Sequence, residues 1–492
     1  MYRKILTLVK HTLVYGLGSV GTRLIGFLLI PVYTRFMTPA DYGILALCTT
    51  TAGMLKIVSQ AGIPTALFRS YLQVARTEEE RRQVLATGLA TLAVIGTVVF
   101  ALMVVWRTRL AGWIFGDPGQ SGFILLIAVA NLARIIQAFR NASFRIHDQS
   151  RQYTVVTTAG FTLNLVVSIY LVAGLRQGAW GAMTANALAV GAMAIVFVPW
   201  SVRRLAGGFS TRVLRDLLKF GLPLVPAGVA VWVMNLSDVY ILRFFRDPAE
   251  VGIYTLGYKF GLGILILTNA FRFAYPKVVF SEGQNQDSPD LFSRVVTYYA
   301  ASLGGLCLAV AVFAPQVILI ADVRFHDAAR VIPLVVAAYF FNGLMSTLEI
   351  GMNLRNRTVY LAGIIIGGGL FNVGLNLLFI PRYGMMAAAV TTLATYVLIL
   401  IPTYMVSSRL YPLRLEWGRL AKITAVFAAA ALAATFLPAM PLAGAVAAKA
   451  GLCLAIYPAL YLLRFFTPEE MSKLRSWRHH AGPASGSGPT AS

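Results

Sequence analysis

The chain is short of charge, short of cysteine and without any polar stretch long enough to fold by itself. Asp, Glu, Lys and Arg make up only 12% of its 492 residues, where a soluble domain carries about 25%. That excludes an ordinary water-soluble globular protein. The three cysteines, Cys48, Cys307 and Cys453, lie far apart inside apolar stretches. No disulfide framework or thiolate metal site follows from such spacing, and each reads as a small buried apolar residue. The sequence has no Walker A pattern and no HExxH motif, so no ATP motor or zinc hydrolase is indicated and no cofactor is expected. His479 and His480 sit in the C-terminal tail. Connections between apolar stretches stay within about twenty residues, and a folded soluble domain needs at least about 50. A membrane glycosyltransferase, polymerase or ligase would show acidic residues or a large loop outside the membrane, and neither is present.

What fills the chain is hydrophobic sequence. About fourteen stretches of about twenty residues each are long enough to cross a bilayer. They run over 12–34, 42–68, 84–106, 123–144, 154–174, 178–202, 216–242, 251–276, 294–320, 327–353, 359–380, 384–408, 419–438 and 440–464. The first is too long for a signal-peptide core and lacks a cleavage site. Net charge is +23. In a soluble protein that would suggest nucleic acid, but here the basic residues gather in short loops. By count about 27 lie on the side of the N-terminus and about 10 on the other, which predicts cytoplasmic N- and C-termini.

Two loops repeat. RFMTPADYGI, Arg35 to Ile44, is echoed by RFFRDPAEVGI, Arg243 to Ile253; Pro39 and Pro248 are 209 positions apart, as are Gly43 and Gly252. Asn164 and Asn372 are 208 apart, and Gly178 and Gly384 are 206 apart. Six spans separate the copies. An even number keeps their orientation, so the repeats should be related by an axis along the membrane normal. Each loop also reads as a helix start. Thr38 caps, Pro39 suits the first position and Asp41 reaches back; Asp247, Pro248 and Glu250 reproduce the pattern. The expected fold is therefore an all-α polytopic membrane protein with two six-helix lobes, residues 1–205 and 206–410. Two extra spans follow at 411–466, then a tail, 467–492, expected to be disordered.

IPVYTRFMTPADYGILAL, Ile30 to Leu47, and FNVGLNLLFIPRYGMMAAAVTT, Phe371 to Thr392, resemble the Wzx-type polysaccharide flippases. These form a branch of the multidrug/oligosaccharidyl-lipid/polysaccharide exporter superfamily, and the resemblance covers about residues 10–410. It implies transport of undecaprenyl-diphosphate-linked oligosaccharide across the bacterial cytoplasmic membrane. Membrane lipids, a polysaccharide polymerase and glycosyltransferases are the implied partners. The two extra C-terminal spans depart from the common twelve and recur in lipid II flippases, so that alternative stays open. A drug or cation exporter on the same fold would favour an acidic lumen.

The residues fit an anionic cargo. Charges inside a span face a cavity or a partner, and Arg23, Lys56, Arg134, Lys259 and Arg272 are the cationic candidates for a diphosphate. Polar side chains for sugar follow the helical period. Asn131, Arg134, Gln137, Asn141 and Arg145 share one arc of the fourth span, taking about 100° per residue. Asn269 accompanies Arg272, and Asn342, Glu349 and Asn353 align in the tenth span. Packing between helices is the competing role for such residues. Asp238 and Glu349 are candidates for ion coupling, since burial raises a carboxyl's pKa, or for static pairing with a base.

Overall fold

The computed structural model describes residues 27–282, 288–355, 357–438, 440–467 and 470. Every regular element among them is helical. The first half contributes α1 (Phe27–Phe36), α2 (Pro39–Gln60), α3 (Ile63–Arg69), α4 (Glu78–Val105), α5 (Arg107–Phe115), α6 (Ser121–Ile146), α7 (Ser150–Ile169) and α8 (Gly178–Val202). A short helix, α9 (Thr211–Gly221), leads into the second half. There follow α10 (Leu224–Phe245), α11 (Pro248–Glu282), α12 (Ser288–Val312), α13 (Ala314–Val317), α14 (Ile332–Leu348), α15 (Ile350–Leu354) and α16 (Thr358–Leu410). Two last helices, α17 (Trp417–Thr435) and α18 (Leu442–Leu462), complete the described chain.

Eleven of these helical segments are long and apolar enough to cross a membrane, or twelve if the bent α11 is counted as one span. The protein is a multi-pass membrane protein. α16 has 53 residues, about 80 Å at 1.5 Å per residue. That is more than twice the roughly 30 Å of a bilayer's hydrocarbon. It breaks at Gly384, whose φ of 55° and ψ of −137° are not helical, at the expected boundary between 380 and 384. Two other boundaries differ from the sequence reading. The stretch 42–68 is divided at Ala61 and Gly62, both with positive φ, where Gly62 meets the Gly221 backbone. The stretch 216–242 starts inside α9 and is divided before α10 around Pro223.

Local rules explain the helix starts. Thr38 accepts from the Asp41 N–H while Asp41 accepts from the Thr38 N–H, a complete capping box with Pro39 at the first position. Thr77 and Glu80 make the same box at α4. Three glutamates in that first turn favour the positive end of the helix dipole.

The halves meet along α2 and α11, while α6 packs on α8, and α10 and α14 pack on α16. At one end the contact is reciprocal. A Cβ on Gly43 would overlap the Pro248 carbonyl oxygen, and one on Gly252 would overlap the Pro39 carbonyl oxygen. Only glycine allows backbones this close. Around it Tyr42 stacks edge-on with Phe325, and Arg324 donates to the Thr34 carbonyl at 3.1 Å. Arg243 donates to the Phe115 carbonyl. One apolar cluster, with Leu47, Ile127, Leu242, Tyr254 and Val336, runs through both halves. α17 and α18 dock on α12 through Ile423, Ile456 and Ala300. The outward faces are apolar, as lipid contact requires; Val105 and Ile195 are each 73% exposed.

The expected tail, 467–492, lies outside the described residues except Thr467 and Glu470, as does the start of the first span with Arg23.

Candidate functional site

A cavity of about 410 Å³ opens between the halves. Tyr33, Tyr42, Thr49 and Thr50 line it from α1 and α2, with Asn164 of α7 and Asn186 of α8. The second half supplies Asn235 and Asp238 from α10, Tyr254, Tyr258 and Lys259 from α11, and Tyr339 from α14. Its position follows from the helix contacts. α2 and α11 touch through glycines at one end and carry their tyrosines and Lys259 on toward the middle.

Two of the sequence candidates face this space. The Lys259 amine sits 4.6 Å above the centre of the Tyr42 ring, a cation–π contact in place of an ion pair. Among the described residues no carboxylate forms a salt bridge with it. Asp238, 2% exposed, is held without a basic partner among the described residues. Tyr254 donates to it through a short hydrogen bond, Tyr258 donates at 3.3 Å and the Val239 N–H at 2.8 Å. Three donors satisfy a buried carboxyl that would otherwise be costly.

Arg134 stands one residue behind the lining. Its Nη2 donates to the Asn186 Oδ1 at 2.7 Å, and its Nη1 is buried with no partner among the described residues. One turn earlier on α6, Asn131 accepts from Ser59 at 3.2 Å and keeps its own Nδ2 unpaired. Arg134 and Asn131 thus each keep one unpaired donor on α6 among the described residues. The remaining candidates lie elsewhere. Lys56 is exposed near the end of α2, and Gln137 is half-buried on α6. Asn141 accepts from Arg140 at 3.0 Å. Arg140 is inside α6, 2% exposed, with its guanidinium 4.8 Å from the centre of the Phe197 ring. The helix continues through it because Ala138, Phe139 and Ala142 keep the buried face apolar.

A second polar group runs through the second half. Tyr396 donates to the Asn235 Oδ1 at 2.9 Å, and Asn342 is buried on α14. The Asn353 N–H donates to the Glu349 carbonyl at 3.1 Å, and Arg272 is exposed on α11. Asn269 is half-buried beside it. Asn376 donates to Asn372 at 3.0 Å, and Asn372 donates to Thr395 at 3.1 Å. Both bridge the two legs of α16.

Tyr33, Tyr42, Tyr254, Tyr258, Asn186 and Asn235 are not singled out by sequence. A tyrosine in an apolar helix reads as core or interface. The usable signal is the spacing of Tyr254 and Tyr258, one turn apart and next to Lys259.

The cavity between the two contacting halves is lined mainly by apolar surface, with tyrosine, asparagine and threonine side chains, Asp238 and Lys259 set into it. The match to a family model over residues 8–282 places the chain in the family described as polysaccharide biosynthesis protein. Its fold is similar to a structure of the lipid II flippase MurJ in an inward closed conformation. That match has 11% identity and a TM-score of 0.72 and covers 92% of this chain and 100% of the other. An inward-facing multidrug resistance MATE family transporter matches with 14% identity and a TM-score of 0.63 over 82% and 96% of the two chains. A point mutant of the Vibrio cholerae MATE transporter VcmN matches with 14% identity and a TM-score of 0.54 over 82% and 96%. Among curated proteins, none matches the sequence.

Proposed function

We propose that the protein is a flippase that carries polyprenyl-diphosphate-linked oligosaccharide across the bacterial cytoplasmic membrane for surface polysaccharide synthesis. The observation that carries this reading is that two basic side chains, Lys259 and Arg134, are each set at or next to the cavity lining. Lys259 is a cation on the cavity wall without a carboxylate partner among the described residues; Arg134 is a guanidinium bonded to the wall residue Asn186, with its Nη1 unpaired among the described residues. A diphosphate supplies the missing acceptors. The amides and hydroxyls of Asn164, Asn186, Asn235 and Thr49 around it suit sugar hydroxyls.

The two sequence halves act as lobes of six spans each, joined by α9 and followed by α17 and α18, for fourteen spans in all. The reciprocal glycine contacts of Gly43 and Gly252 support a two-fold relation along the membrane normal. Loop charge puts that closed end on the non-cytoplasmic face and the termini in the cytoplasm. Alternating access then opens one end as the other closes, and the lipid tail stays in the bilayer. Asp238, which faces the cavity, is the better placed of the two carboxyls for ion coupling.

A second reading, transport of lipid II, is favoured by the length of the fold likeness to MurJ, which includes most of this chain. Depleting the protein in its host separates the two. Retention of oligosaccharide-linked lipid on the cytoplasmic side with normal cell-wall synthesis supports the first reading, and retention of lipid II supports the second.

A further inference from the structure

The segment that joins the halves carries a feature outside the transport path. α9 is clamped to the first half along its length. Leu217 is fully buried in a cluster with Leu67 of α3 and Leu85 of α4. The Ser210 N–H donates to the Thr87 Oγ1 at 3.0 Å, and its hydroxyl caps the Val213 N–H at 3.4 Å. At the far end Gly221 lies against the Ala61 carbonyl. The opposite face holds Arg212, Arg215 and Lys219, all exposed and spaced three and four residues apart, which puts them side by side.

The turn before α9 adds exposed Arg203, with Leu205 at 41% and Phe209 at 59% exposure. Among the described residues none of these four cations forms a salt bridge. The nearby acids are Asp216 on the same helix and Glu80, which acts on Arg212 but is bonded to the Arg76 and Thr77 N–H groups. α9 connects the end of one spanning helix to the start of another. Its cations cannot enter hydrocarbon, and its exposed leucine and phenylalanine are poorly placed in water. The boundary between headgroups and acyl chains satisfies both.

We propose that this face binds anionic phospholipid headgroups of the surrounding bilayer. Arg203, Arg212, Arg215 and Lys219 meet lipid phosphates, and Leu205 and Phe209 enter the acyl boundary. Because α9 is fixed to the first half, the contact holds that half at the membrane surface. The proposal does not depend on which substrate is carried.

Native mass spectrometry of the full-length protein, offered phosphatidylglycerol and phosphatidylcholine in equal amounts, tests it. The unmodified protein should retain phosphatidylglycerol preferentially. The triple variant R212Q/R215Q/K219Q should lose more than about tenfold of that preference, on the basis of about fivefold per basic residue near the surface. A control of equal charge loss, R357Q/R409Q/R414Q, should keep it. Phe209→Ser should weaken retention with no charge change, which a soluble polyanion would not mimic. If the triple variant melts early in lipid-free detergent, the three single variants carry the test at about fivefold each. Retention by the α9 variants, or equal loss in the control, overturns the proposal.

Discussion

The Glu250 carboxylate accepts the backbone N–H of Met385 at 2.6 Å, across 135 residues of chain. It caps the second leg of α16 where that leg begins. Gly384, φ 55°, leaves no room for a side chain because a Cβ would overlap the Glu250 Oε1. The first half repeats the arrangement: Gly178, φ 54°, opens α8, and its Cβ would lie 3.2 Å from the Asp41 carboxylate. Each acid thus lies against the glycine that opens the sixth span of its half, while Asp41 also closes the capping box of α2.

Gly384→Ala should lower stability by about 1–3 kcal/mol, the cost of a non-glycine residue in a sparsely populated backbone region. Gly178→Ala should cost less, since its neighbour is in tight contact but not overlapping. Thermal unfolding in detergent reads both. Equal melting temperatures for the Gly384 variant and the unmodified protein would show that the kink does not need glycine.

Gly43→Leu or Gly252→Leu should wedge the reciprocal contact of α2 and α11. Side chains there cannot fit between two backbones. The expected result is folded protein at normal membrane levels with transport abolished. Spin labels at Phe36 and Phe245 should report a longer distance across that end. An unchanged distance would mean that this contact is not the closure.

Asp238→Asn keeps two acceptor lone pairs for the tyrosines and removes the charge. It should melt within about 1.5 kcal/mol of the unmodified protein, the usual worth of a hydrogen bond. It should also transport without responding to an imposed ion gradient. A normal gradient response would remove Asp238 from coupling and leave it a structural tie between α10 and α11.

The start of α2 is legible in the sequence because capping is local: Thr38, Pro39 and Asp41 identify their role within four residues. Helix length and apolarity are legible for the same reason. The orientation of each stripe is not. Asn131, Arg134 and Asn141 share an arc, yet Asn131 bonds α2, Arg134 bonds α8 and Asn141 bonds its own neighbour Arg140. Which way an arc faces depends on the helices packed around it, and no local pattern carries that. The cavity tyrosines stay hidden because an aromatic ring serves core, interface and cavity alike, and only the three-dimensional meeting of Asp238 with Tyr254 and Tyr258 separates these roles.

The central claim is that Lys259 and Arg134 bind a diphosphate in transit. Its most direct test is movement of a fluorescent polyprenyl-diphosphate oligosaccharide across proteoliposomes containing the purified protein. Arg134→Ala and Lys259→Ala should each slow flipping about tenfold to a hundredfold, the loss of one charge-assisted contact. Arg134→Lys should keep part of the rate, because charge survives without the bidentate fork. A normal rate in the Arg134→Ala, Lys259→Ala double variant would contradict the account.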